Sequence, residues 1–181
     1  MMLTLRPPTP LDEAPLRRMH GQLAAEGFSF LLAEGTWGEI LAQVRRDADG
    51  CDLPAGRVRA DFLVAEADGI PVGRVSIRHE LTPFLREVGG HVGYAVAPPF
   101  RGRGHATEIL RQSVDRLHGL GVERALVTCD DDNVASAATI ERCGGVLEDV
   151  RIPPGGGVPK RRYWIDTTAP LAAVTWSPHA I

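Results

Sequence analysis

The sequence predicts an α/β domain built on a mixed central sheet. Three observations predict it. At 181 residues the chain has room for one domain and little more. Its 44% hydrophobic and 24% charged content is that of an ordinary globular chain, which excludes wholesale disorder, collagen and coiled coil. The hydrophobic periodicity also changes along the chain: a strand and two helices, a three-strand meander, then helix, strand, helix and two final strands. Strands joined by tight turns pair antiparallel, and strands joined through a helix cross over, so the sheet is antiparallel first and mixed later.

Residues 2–6 form a short first strand, stopped by Pro7 and Pro8. Over 12–25, Leu16, Met19 and Leu23 recur at helical spacing, Pro15 falls in the tolerated first turn, and Gly27 closes the segment. Thr36 with Glu39 fits a capping box, and Trp37, Ile40, Leu41 and Val44 then give a helical stripe to about Ala48. Residues 49–61 read as a loop. Strands over 62–66 and 72–79 are joined by Asp68-Gly69, a strong hairpin signal. A loop over 80–90 leads to a strand over 91–97, halted by Pro98-Pro99.

The second half follows the same logic. A helix over 106–118 carries Ile109, Leu110, Val114 and Leu117 and ends at Gly119 and Gly121. An apolar strand over 124–129 follows. Polar residues 130–133 cap a helix over 134–142, which Gly144-Gly145 terminates. Strands over 146–150 and 161–166 flank a glycine-rich turn at 153–157. One domain over 1–166 with a C-terminal tail over 167–181 is therefore expected.

Composition narrows the function. Net charge is −3, so no global positive field draws nucleic acid or an anionic membrane, and neither partner is expected. The basic residues are 19 Arg and one Lys, Lys160, a skew that mostly reflects composition but leaves individual Arg free to grip phosphate. Cys51, Cys129 and Cys143 form no C-x-x-C pair, so neither a disulfide framework nor a zinc site is expected. With no apolar run long enough for a signal segment or a membrane span, a cytoplasmic location is expected.

The informative stretch is 91–118, where a strand runs through two prolines and an Arg/Gly loop straight into a helix. Gly102 and Gly104 let the backbone approach a ligand closely. The first amides of the helix are unpaired and the helix dipole adds positive potential, which suits a phosphate or pyrophosphate. Arg101 and Arg103 add charge-assisted contacts. No Gly-x-x-x-x-Gly-Lys-[Ser/Thr] is present, so the loop is not a P-loop, and it lacks the Gly-x-Gly-x-x-Gly of a dinucleotide fold.

Arg101-x-x-Gly104-x-Ala106, after a strand ending Ala95-Val96-x-Pro98, resembles the acyl-CoA loop of the GNAT N-acetyltransferase superfamily. Asn133-x-x-Ser136, followed by Ile140 to Gly145, is similar to that family's fourth-helix motif, and the element order matches the GNAT fold. The approach Gly90-His-Val-Gly-Tyr94 and the exit Arg162-Tyr-Trp-Ile165 resemble a bacterial group of predicted acetyltransferases. The resemblance spans most of 1–166 and is sharp over 91–149.

The resemblance implies a central sheet splayed between its fourth and fifth strands, with helices on both faces and acetyl-CoA in the splay as co-substrate. Pantetheine would pair along Tyr94, Ala95 and Val96, with the Val96 amide facing the thioester oxygen. Pyrophosphate would sit on the amides of Gly102, Arg103, Gly104, His105 and Ala106. Asn133 and Ser136 would approach from across the splay, although as residues they also read as an N-cap and its partner. The chemistry is direct attack of a neutral amine on the thioester, which needs a base and is helped by an acid for the thiolate.

Many members place that acid as a Tyr on the fourth helix, and the matching residue here is Ile140, which cannot donate a proton. Tyr163 or a water could substitute. Among base candidates, His91 and Glu87 stand ahead of His79, Glu80, Glu66 and Glu141. Asp130, Asp131 and Asp132 are consecutive, cannot all point one way, and read as a solvated cap, so no metal is expected.

The expected function is transfer of an acetyl group from acetyl-CoA to a primary amine of a small molecule or peptide. A non-catalytic acyl-CoA-binding module is the alternative, supported by Ile140. A nucleotide- or phosphate-binding protein is a third reading, disfavoured by the missing P-loop lysine. Substrate choice falls to 20–61, 79–91 and 151–162, where Phe28, Phe30, Trp37 and Phe84 could line a pocket or fill the core. A homodimer is expected only by analogy with the fold.

Overall fold

A computed structural model describes residues 2–168. Seven strands form one sheet in the order β1-β2-β3-β4-β5-β7-β6. They are β1 (Leu3–Arg6), β2 (Ala60–Ala67), β3 (Ile70–Arg78), β4 (Val92–Val96), β5 (Arg124–Asp130), β6 (Val146–Arg151) and β7 (Lys160–Asp166). Every neighbouring pair is antiparallel except β4 and β5, which are parallel. The helices are α1 (Glu13–Ala24), α2 (Trp37–Asp49), α3 (His105–Gly119) and α4 (Val134–Arg142).

Local chemistry explains the boundaries. Asp68 and Gly69 both have positive φ (48° and 81°), as a two-residue hairpin turn of the right twist demands. The Thr36 hydroxyl accepts from the Glu39 amide and Glu39 returns to the Thr36 amide, which completes the capping box of α2. The helices pack on both faces. Leu16, Met19 and Leu23 of α1 and Ile40 and Leu41 of α2 bury against Phe62, Val64 and Ala95 on one face. On the other, Ile109, Leu110, Val114 and Leu117 of α3 and Ile140 of α4 bury against Val75, Val127 and Tyr163.

Two details differ from the sequence reading. The expected loop over 80–90 contains a π-type turn, Leu85–Gly89. It is held from outside: the buried Arg162 side chain donates to the Arg86 carbonyl and pairs with Glu148 and Asp149. The fourth strand is shorter than 91–97, because Gly90 turns the chain at φ 63° and the His91 amide donates to the Leu126 carbonyl. Most of the tail expected over 167–181, residues 169–181, lies outside the described residues. Thr167 still donates its amide to the Glu123 carbonyl beside the end of β7.

Candidate active site: the splay between the fourth and fifth strands

β4 and β5 pair at a single register point, Val92 opposite Val127. Beyond it they diverge. The Arg78 amide donates to the His91 carbonyl and the Ala97 amide to the Val72 carbonyl, which fixes the alternation along β4. Gly93 and Ala95 therefore turn their amides toward β3, whereas Tyr94 and Val96 turn theirs into the gap that β5 has left. A parallel pair that opens after one bridge leaves a row of unpaired strand-edge groups, a template for an extended ligand.

The gap widens into a cleft of about 600 Å³. Tyr94, Ala95 and Val96 form one wall. Arg101, Gly102, Gly104, His105 and Ala106 form the end, at the start of α3. Asn133 and Ser136 of α4 form the opposite wall. The structure thus brings the acyl-CoA candidates to one cavity, apart from Arg103, whose guanidinium lies over the Phe100 ring at 5.8 Å. Gly102 and Gly104 have φ of 74° and 82°, and a Cβ on either would meet nothing within 4 Å. The loop needs glycine for its backbone conformation, and the space in front of it is open.

Electrostatics and capping complete the cleft. The first-turn amides of α3 have no intrahelical acceptor and face its end. Arg101 donates from Nε to the Val96 carbonyl (3.2 Å) and from both Nη atoms to Glu26 (3.2 and 2.6 Å). This ties the segment after α1 to the loop. Asn133 Oδ1 accepts from the Ser136 amide at 3.0 Å, the N-cap of α4. The Tyr94 hydroxyl reaches from β4 to within 3.1 Å of Ser136 Oγ. Burial raises the Tyr94 pKa to about 12, so its hydroxyl keeps its proton. The Nδ1 of His105, at the head of α3, is buried with no hydrogen-bond partner among the described residues.

The three catalytic candidates do not come together, and none lines this cleft. His91 sits at the apex of the splay, 5% exposed. Its amide donates to the Leu126 carbonyl, and its Nδ1 accepts from the Leu126 amide at 2.9 Å. Burial, together with Arg86 and Arg78, pushes its pKa down to about 4, so the ring is neutral and brackets the two strands. Glu87 holds Arg151 at 2.8 Å on the surface. Tyr163 is fully buried on β7 and donates its hydroxyl to Glu141 Oε1 at 3.0 Å.

Sequence reasoning missed the Tyr94 side chain and Glu26. The Asn-x-x-Ser spacing signalled Ser136 but not the residue that meets it from β4, and nothing near Glu26 marks it as reaching the glycine loop. Among the described residues no group of three or more His, Cys, Asp or Glu is placed to hold a metal ion. No helix there is long and apolar enough to cross a membrane.

The profile of the acetyltransferase (GNAT) domain family matches residues 2–146. A search of curated protein sequences finds no match. Among solved structures, the chain is similar to Mycobacterium smegmatis RimJ in complex with CoA-disulfide, at 23% identity and TM-score 0.68, over 91% of this chain and 81% of that one. It is similar to the microcin C7 self-immunity acetyltransferase MccE in complex with acetyl-CoA and AMP, at 21% identity and TM-score 0.65, over 91% and 92%. It is also similar to yncA of Salmonella typhimurium with acetyl-CoA, at 18% identity and TM-score 0.65, over 94% and 96%. At these identities the structural likeness speaks for the fold.

Proposed function

The chain belongs to the GNAT acetyltransferase family, and from that premise we propose that it transfers an acetyl group from acetyl-CoA to a primary amine of a small molecule or peptide. The observation that carries this reading is the continuity of one cleft, from the unpaired amides of Tyr94 and Val96 to the glycine loop at the head of α3. Pantetheine pairs with the open edge of β4 as an added strand. The pyrophosphate takes the amides of 102–106 and the positive end of α3. Asn133 and Ser136 close over the ligand from α4.

The chemistry then needs few groups. A neutral amine attacks the thioester carbon, and the oxygen takes up charge beside the Val96 amide. The intermediate collapses and expels the thiolate. The Tyr94 hydroxyl, which keeps its proton at neutral pH and lies inside the cleft, is the hydrogen-bond donor we assign to the leaving thiolate in place of the fourth-helix Tyr that Ile140 replaces. The ammonium proton leaves to water, and the thiolate takes its proton from water in turn. His91, Glu87 and Tyr163 hold their partners away from the cleft, so we assign them no step.

One observation favours the alternative of a non-catalytic acyl-CoA-binding module: Ile140 is fully buried and offers no proton to a thiolate. Calorimetric titration with acetyl-CoA and thiol release across a panel of amines separate the readings. Saturable acetyl-CoA binding with amine-dependent thiol release and an acetylated product supports the transferase. Binding with no release on any amine supports the module. Absence of acetyl-CoA binding overturns both.

A further inference from the structure

A second cavity of about 270 Å³ lies on the α1–α2 face, between α2, the ends of β2 and β3, and residues 84–85. Its walls are mainly apolar, with Leu31, Ile40, Val44, Phe62, Phe84 and Leu85 among them. Its charged groups do not balance. Asp47 is occupied, with Oδ1 accepting from Gln43 (2.7 Å) and Oδ2 from Arg57 (3.3 Å). That leaves Arg78 without a carboxylate. Its Nη1 donates to the Gly89 and Gly90 carbonyls at 3.1 and 3.2 Å. Its Nε and Nη2 have no protein acceptor among the described residues, and the side chain lines the cavity.

Arg74 stands beside it, 3% exposed and also without a carboxylate. It donates to the carbonyls of Phe30, Gly93 and Ser29 at 3.0, 2.7 and 3.0 Å. The rings of Phe28, Phe30 and Phe62 surround it at 5.0 to 5.8 Å. The two guanidinium groups crowd one point. A Cβ on Gly93 would lie 3.7 and 3.8 Å from Arg78 Nη1 and Nη2 and 3.9 Å from Arg74 Nη1. Two neighbouring cations, Arg74 buried and Arg78 half-buried, with no counter-charge among the described residues cost stability, and a bound anion offsets that cost.

The position ties this cation pair to acyl transfer. Gly93 lies two residues before Ala95 on β4, roughly 7 Å at the usual strand rise. Phe28 stacks on Arg74 and also lines the 600 Å³ cleft, so the cation pair reaches the wall of that cleft. We propose that the second cavity holds the acceptor. The acceptor is an amino-acid-sized amine with an apolar body, whose carboxylate docks on Arg78 with Arg74 behind it and whose amine points into the splay. This deepens the acetyltransferase reading and rests on it. Arg57 also lines the space but is held by Asp47, so the small volume and the one guanidinium without a carboxylate favour a carboxylate over a larger anion.

The test titrates the full chain by calorimetry with a panel of apolar α- and ω-amino acids, each against its own carboxamide, and with phosphoethanolamine. At least one acid should bind about tenfold or more tighter than its amide, the size of a charge-assisted contact. Arg78→Gln should erase that preference, Arg78→Lys should restore part of it, and acetyl-CoA affinity should stay within about twofold in both. The proposal is overturned if no acid is preferred over its amide. It is also overturned if Arg78→Gln weakens acid and amide alike, or if phosphoethanolamine binds more tightly than every acid. The comparison of acids with amides needs only the unaltered chain. Acetyl-CoA titrated in parallel judges the transferase reading separately, since its failure to bind leaves the acid preference measurable.

Discussion

The two faces of the sheet carry cavities of opposite construction. The cleft at α3 and α4 is made largely of backbone: strand-edge amides of Tyr94 and Val96, left-handed Gly102 and Gly104, and the open first turn of a helix. The cavity under α2 is made of side chains drawn from five separate segments, with Arg78 as its unpaired charge. A backbone site recognises a constant handle, because any sequence that reproduces the loop conformation reproduces the site. A side-chain site can change partner with a single substitution. In the proposed reading, one face takes the constant donor and the other chooses the acceptor.

The largest test of this division is Gly104→Glu. Any side chain at φ 82° is strained, and a carboxylate would stand where a pyrophosphate is proposed to bind. Acetyl-CoA affinity should fall by at least about 100-fold, or about 2.7 kcal/mol. Because a Cβ there meets nothing within 4 Å, circular dichroism should report an intact fold. Binding of amino acids under α2 should not change. If acetyl-CoA binding survives, the glycine loop is not the donor site.

Next in size is Tyr94→Phe, which removes one oxygen from the cleft wall and leaves the β4 edge in place. We expect kcat to fall by about 30-fold, the size of a lost hydrogen bond to a charged group, while acetyl-CoA affinity changes less than about threefold. An unchanged kcat would show that the thiolate leaves without the Tyr94 hydrogen bond.

The same division explains what the sequence disclosed. Element order was legible almost throughout, because hydrophobic period, the Asp68-Gly69 turn and the Thr36–Glu39 box act over a few residues. The candidate donor cleft was legible as one place because its parts are contiguous in 94–106, with Asn133 and Ser136 at helix-capping spacing. Arg74 and Arg78 stood among 19 arginines with nothing local to distinguish them. Only the pairing of β3 with β4 and the packing of Phe28 bring them together, Arg74 buried and Arg78 half-buried, with no carboxylate on either among the described residues. His91 was misleading for a related reason. Its intrinsic pKa suits a base, but the Leu126 amide that occupies Nδ1 lies 35 residues away.

His91 stands at the joint between the two faces, and paired substitutions separate its bracket role from proton transfer. Asn can offer Oδ1 where the ring offers Nδ1, whereas Phe cannot. His91→Phe should lose about 1–2 kcal/mol in urea unfolding, from an unpaired Leu126 amide, and His91→Asn should recover part of it. Between pH 6.5 and about 4 the unfolded chain binds a proton that the folded His91 excludes. Stability is therefore full above about pH 6.5 and falls as pH drops, by up to about 1.4 kcal/mol per unit in that window. Both variants should flatten this decline. Neither should move the pH dependence of kcat, and a shift would return His91 to the list of bases.

The smallest effect is expected at the seam, where Glu26 after α1 holds Arg101 of the loop. The pair is half-exposed, so it adds little to folding, and Glu26→Gln should leave the urea midpoint unchanged. Its consequence is for binding. The carboxylate competes with phosphate for Arg101 and adds a negative charge to the cleft wall. Removing it should tighten acetyl-CoA by about two- to fivefold at low salt, and the gain should shrink as ionic strength rises. Weaker binding would mean that Glu26 positions the loop rather than competing with the ligand. The seam would then be part of the donor site, and the boundary between the two faces would lie farther into α1.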